Sequence, residues 1–218
     1  MDPMTIRLSE QVLLLALNET SGKIYPLPDQ YLDFAVAGAL IMELVFDEYV
    51  RLHQGLLRVL KAGPTGDAVL DTALSYLPAA GSSSPAMHAL IDLAAHSSQL
   101  TAMLLDDLVF KGVLEPGSYR YLWFFSDFCQ TDPKLLEATS VKKTLREILF
   151  QNRSPNEKEA VLVGIASVCN LMTHIFSPED LRTAEPRIRK LVRSEIINHL
   201  ISNALDEFQN AVINALAS

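Results

Sequence analysis

The sequence predicts a mainly α protein: a single helical domain over residues 1–218 with two short β-hairpins. Three observations lead there. Apolar residues recur at helical spacing through most of the chain; the period changes to two only around Gly55 and around Pro116-Gly117; and no linker is long or polar enough to separate two cores. With 218 residues, 49% of them hydrophobic and 20% charged, the chain has a globular composition and enough length to bury a core. No internal repeat of solenoid length is present.

Each element has a local reason. Ser9-Glu10-Gln11 before the apolar run Val12 to Leu17 reads as a capped, deeply buried helix, ended by Gly22, Pro26 and Pro28. From about Asp29 to Phe46, Leu32, Val36, Leu40 and Leu44 recur every fourth residue, and Ala35, Ala37, Gly38 and Ala39 let neighbouring helices approach closely. Tyr49 to Leu60 alternates around His53-Gln54-Gly55, the first hairpin. Val69, Leu70, Ala73, Leu74 and Leu77 mark a helix face whose start Thr65 or Asp67 can cap. Pro78 to Pro85 reads as a surface loop, followed by a helix from about Ala86 to Lys111 with an internal kink. Val113 to Phe125 reads as the second hairpin, turning at Pro116-Gly117. Helices then follow over roughly 139–151, 156–175, 178–193 and 194–217, with Ser154-Pro155, Ser177-Pro178 and the polar stretch around Pro186 as separators.

Charge narrows the partners. Eighteen basic against 26 acidic residues give a net charge of −8, which excludes a diffuse grip on nucleic acid or on an anionic bilayer by the whole surface. The imbalance lies entirely before Pro116. Up to Glu115 there are six basic and fourteen acidic residues, and from Pro116 onward twelve of each. In the balanced half, Lys142, Lys143 and Arg146 form one basic group, and Arg187, Arg189, Lys190 and Arg193 form another at helical spacing. Their bland reading is a solvated helix pairing with Glu185 and Glu195; their functional reading is a headgroup or phosphate patch. Cys129 and Cys169 fit neither a disulfide scaffold nor a zinc site, so a reducing cytosol is expected. The apolar run near the N-terminus lacks a basic flank and is too short for a signal peptide, and no stretch reaches the ~20 apolar residues of a spanning helix.

The catalytic and metal patterns are weak. His88, Asp92 and His96 share one helical stripe, but ligands about 6 Å apart along the axis cannot all reach one tetrahedral ion, so a polar face is the reading. Asp106 and Asp107 diverge by ~100° on a helix and cannot face one substrate together. Gly63 to Asp67 lacks the lysine of a P-loop, and neither cysteine has a neighbouring base. No catalytic residue, metal or cofactor is assigned. The run Tyr121, Leu122, Trp123, Phe124 and Phe125 stands apart, because a bulky apolar hairpin arm sends side chains to both faces and its own domain covers only one. It is either sandwiched between helices, or it inserts into a bilayer interface or a subunit contact.

These residues carry a resemblance. Leu8 to Leu17, Gly38 to Leu44, Pro64-Thr65-Gly66-Asp67-Ala68-Val69-Leu70-Asp71-Thr72-Ala73-Leu74 and Leu108 to Leu114 before the hairpin resemble the Golgi phosphoprotein 3 family, and Arg187 to Leu191 is similar to its late helical segment. The resemblance implies a helical domain and a non-enzymatic peripheral membrane adaptor in the cytoplasm. The family's Golgi members bind phosphatidylinositol 4-phosphate, hold the cytosolic tails of membrane proteins, and use the hairpin for membrane contact or self-association. It places Tyr121, Leu122, Trp123 and Phe124 at the family's hydrophobic tip. Its headgroup pocket, a tryptophan and three arginines, falls on Pro28, Ala37, Ser98 and Thr101, which supply neither stacking surface nor charge. The chain starts without the long polar arm of Golgi members, so a prokaryotic-type relative is expected. The expected partner is an anionic phospholipid surface, with no nucleic acid; the alternative is a soluble homo-oligomeric scaffold assembled through the hairpin.

Overall fold

The computed structural model describes residues 6–18, 23–27, 30–114, 141–192, 210–211 and 213–215. Described in chain order are α1 (Leu8–Ala16), α2 (Tyr31–Phe46), β1 (Val50–His53), β2 (Leu56–Val59), α3 (Ala68–Ser75), β3 (Ser83–Pro85), α4 (Ala86–Ala94), α5 (Ser97–Phe110), α6 (Val141–Phe150), α7 (Glu157–Val168), a 3-10 turn (Leu171–His174) and α8 (Pro178–Val192). The fold is mainly α, as the sequence predicts.

The centre is α2. Every residue from Phe34 to Val45 is buried, so this helix is enclosed rather than amphipathic, and α1, α3, α4, α5 and α7 all pack on it. Its small residues explain the crowding: Ala35, Ala37 and Ala39 are fully buried, leaving room for neighbouring backbones. Helix α1 is nearly as enclosed and lies between α2, α5 and α7. Leu13, Leu15, Leu40, Leu44, Leu100, Leu104 and Leu108 belong to one continuous core that reaches as far as Ala184 and Leu191 of α8.

The first hairpin forms in the predicted place, with Val50 opposite Val59 and His53 opposite Leu56. Gln54 and Gly55 take φ of 50° and 74°, the sign that a two-residue turn needs to match strand twist. A third strand was not legible: Ser83–Pro85 pairs antiparallel with β2 where the sequence reads as a loop. Ser-Ser-Pro has no strand propensity, and it pairs because β2 offers an open backbone edge. The kink expected in the Ala86 to Lys111 helix is a break between α4 and α5, with His96 at φ −105° outside helical geometry. His88, Asp92 and His96 therefore do not share one unbroken stripe, and the His96 ring stacks on Tyr76 with centroids 3.8 Å apart.

Three boundaries differ from the sequence reading. The 156–175 helix stops at Val168, because Asn170 adopts a left-handed φ of 58° and the chain continues as the 3-10 turn. Pro186 lies inside α8 instead of separating two helices. The buried Ala184 and Leu191 lie on either side of it, and Arg187 binds backbone carbonyls of Ile148 and Arg153, so packing carries the helix past its missing N–H. Ser9 does not cap α1 but sits inside its first turn. The second hairpin, including Tyr121 to Phe125, lies outside the described residues, as do Arg193 and most of the 194–217 helix.

Burial ranks the costs of truncation. Leu40→Ala, at a fully buried site, should lower the unfolding free energy by about 2–5 kcal/mol, whereas Leu56→Ala, 48% exposed on β2, should cost less than about 1 kcal/mol. Urea unfolding of the two variants checks this, and equal losses would contradict the assigned core.

Candidate functional site

A helix start leaves its first amide donors without intrahelical partners. In α1 the usual short polar cap is absent, since the residue before it is Arg7, in extended conformation. The deficit is met from elsewhere. The Arg7 backbone N–H donates to Glu10 Oε2 at 2.7 Å, and Ser9 N–H donates to Glu43 Oε1 of α2 at 2.8 Å. The Ser9 hydroxyl donates to the same oxygen at 3.1 Å. Glu43 is thus a cap supplied by a neighbouring helix, and it ties α1 to α2 through buried groups.

The Arg7 side chain, only 7% exposed, runs across this junction and forms ion pairs with Asp67 and Asp107, with Glu10 at 3.6 Å. Asp67 serves twice: its Oδ1 accepts from the N–H groups of Val69 at 2.9 Å and Leu70 at 3.0 Å, capping α3, while Oδ2 meets Arg7. Lys111, at the end of α5, donates to both Glu10 oxygens at 2.7 Å. Burial works against the Arg7 charge, but Asp67, Glu43 and Glu10 more than offset it and hold the guanidinium above its ordinary range. Burial also acts on Glu43, pushing its carboxyl up to about 7 against the opposing hydrogen bonds from Ser9 and the charge of Arg7.

Arg7, Glu43, Asp67, Asp107 and Lys111 line one cleft of about 550 Å³, with Phe110 at its rim exposing 88% of its surface. The cleft has the size of a small-molecule site. Among the described residues its lining contains no His, Cys or Ser, and several of its acids and bases are committed to one another. Among the described residues no group of three His, Cys, Asp or Glu is placed to hold a metal ion. Cys169 is buried, and burial raises its thiol to about 12, which leaves it protonated and inert.

The basic residues singled out in the sequence fall on two helices that pack together, α6 and α8. Lys142 donates to the Leu17 carbonyl at 3.3 Å and lies over the Tyr25 ring at 5.6 Å, and Tyr25 stacks on His174 at 4.7 Å. Arg146 is exposed, its guanidinium 5.6 Å from the Phe176 ring centroid. Arg187 is half-buried and spends its donors on Ile148 and Arg153 carbonyls at 3.3 and 3.1 Å. Arg189 pairs with Glu185 at 2.6 Å, and Lys143 and Lys190 are exposed. Of the headgroup-pocket positions, Ala37 and Thr101 are buried in the core, Ser98 is exposed, and Pro28 lies outside the described residues. The Arg7 cluster was missed in the sequence. Its one signal was a lone Glu43 inside an otherwise apolar helix, which a soluble core must satisfy with a partner.

A family model described as Golgi phosphoprotein 3 (GPP34) matches residues 8–212. No curated protein matches the chain.

The raised Glu43 carboxyl gives stability a pH sign. Its folded-state value lies above the ordinary 4.5, so its contribution is complete below about pH 4.5 and is lost as pH rises through about 7. The loss amounts to at most roughly 3 kcal/mol. Unfolding free energies of the wild type and Glu43→Gln should therefore diverge between pH 5.5 and 8, the wild type falling relative to the variant; a constant difference would refute the assignment.

Proposed function

Since the chain belongs to the Golgi phosphoprotein 3 family, we propose that it is a non-enzymatic peripheral membrane adaptor that docks on anionic lipid through its apolar hairpin and its α6 and α8 basic residues, presenting a surface to cytosolic tails of membrane proteins. No helix among the described residues is long and apolar enough to cross a membrane.

One observation carries the reading. The two basic groups, far apart in sequence, belong to helices in direct contact, and Lys143, Arg146, Arg189 and Lys190 remain exposed there in a chain of net charge −8. A local cationic face on an acidic protein orients it toward an anionic surface. Arg187 and Lys142 support that face structurally, through the carbonyls they hold. Ala37 and Thr101, at positions the resemblance gives to the headgroup pocket, are buried, which supports a reading in which lipid recognition is by charge and insertion rather than by a phosphoinositide-shaped site.

Magnitudes require both devices. Each basic residue near an anionic leaflet contributes ~1 kcal/mol and each inserted large apolar side chain ~1.5–3 kcal/mol, so either alone gives weak, transient binding. Together they give reversible docking. Self-assembly through the hairpin is the competing outcome, and the strongly exposed Phe110 favours keeping it in the test.

Flotation with vesicles containing anionic phospholipid, beside neutral vesicles, discriminates the two. The wild type should bind anionic vesicles and release as salt rises; Trp123→Ala/Phe124→Ala and Lys143→Ala/Arg146→Ala should each weaken binding by about tenfold or more. Equal binding by wild type and the hairpin variant would sink the docking mechanism, and an oligomer dispersed by that variant without vesicle binding would establish the scaffold instead.

A further inference from the structure

Glu43 and Arg7 share one cleft, yet they are not paired: Arg7 is committed to Asp67 and Asp107, and Glu43 to Ser9. Neutral Glu43 suits that arrangement. Its carbonyl oxygen accepts from Ser9 N–H and its own O–H can donate to Ser9 Oγ, so a proton completes the pair without any cation. An ionised Glu43 has no such balance, since Ser9 supplies hydrogen bonds but no charge. Arg7 meanwhile keeps its buried Nε with no acceptor, while Nη1 is ion-paired with Asp67. A buried guanidinium with a spare donor, within reach of the charge of a buried carboxyl that it does not pair with directly, is an arrangement with a second state.

We propose that this cleft is a proton-operated latch: with Glu43 neutral, Arg7 holds the starts of α1 and α3 to the last turn of α5, and with Glu43 ionised Arg7 turns toward it, releasing Asp67 and Asp107 and loosening the first turn of α3. The charged groups of the cleft set the direction. They are Arg7 before α1 and its partner Glu10 within it, Asp47 after α2, Asp67 before α3, Asp107 in the last turn of α5 and Lys111 after it, and Lys158 and Glu159 from α7. Among the described residues, α6 adds Val141 and Thr144 to the lining but no titratable group, and α4 and β1 contribute none. Carboxylates outnumber cations in this set, Lys111 and Glu159 are held by Glu10 and Arg153, and Lys158 lies over the Phe46 ring, so a new negative charge competes for Arg7. The transition falls near neutrality, where burial has already placed the Glu43 carboxyl. The latch concerns the cleft and not the cationic face, and it stands whether or not the membrane reading does.

Hydrogen exchange on the full chain at pH 6 and pH 8, corrected for intrinsic rates, reads the two states. Peptides covering Asp67 to Asp71 and the first turn of α1 should exchange about tenfold faster at pH 8 in the wild type, and the difference should vanish in Glu43→Gln, which mimics the neutral acid. Peptides covering β1 and β2 should not change. A pH-independent wild type, or a variant that keeps the wild-type response, would overturn the latch. Should Glu43→Gln fail to fold, the carboxyl ¹³C shift of Glu43 in the wild type decides: a titration midpoint above pH 6 supports the latch, and one below pH 6 refutes it.

Discussion

The buried guanidinium of Arg7 holds together the part of the molecule where α1, α3 and α5 converge. Three helix ends meet there, each with unsatisfied backbone groups or charge, and no short polar residue is available at the start of α1. The chain solves this with long-range partners. Glu43 reaches Ser9 from α2, Asp67 caps α3 while pairing with Arg7, and Lys111 closes the end of α5 onto Glu10. Helix starts and a buried cation thereby stabilise each other, which is the condition under which a charge can be kept out of water.

This arrangement fixes where the rest of the fold can go. With α1 and α5 held at one end by ions, they pack on α2 together with α3, α4 and α7, and the small residues of α2 let these helices approach closely. The same closeness buries Ala37 and Thr101, two of the positions that the resemblance gives to a headgroup pocket. In the proposed function, the chain meets a lipid surface through the basic residues of α6 and α8 together with the hairpin.

The elements legible in the sequence were those with a local cause. The fourfold spacing of Leu32, Val36, Leu40 and Leu44 placed α2, Gln54-Gly55 placed the first turn, and Asp67 was among the named caps of α3. What escaped had causes elsewhere in the chain. Arg7 finds Asp67 sixty residues on and Asp107 a hundred residues on, and no periodicity records such a pairing. Strand β3 exists because β2 has an edge, not because Ser-Ser-Pro prefers to be extended. Pro186 stays helical because Arg187 and its neighbours are held by α6. The basic groups were visible as composition, but only the packing of α6 on α8 brings them to adjacent helices, and only their contacts separate Arg187 and Lys142, which hold backbone carbonyls, from the exposed remainder.

The central claim is that Arg7 and Asp67 are energetically coupled across the helix junction, and a double-mutant cycle measures it. Arg7→Met removes the cation while keeping the bulk of the stem, and Asp67→Asn removes the charge while keeping a side-chain oxygen to cap α3. Urea unfolding of the wild type, both single variants and the double variant should give a favourable coupling above ~1.5 kcal/mol. Additivity within ~0.5 kcal/mol would contradict the account, leaving the pair as neighbours that contribute nothing to each other.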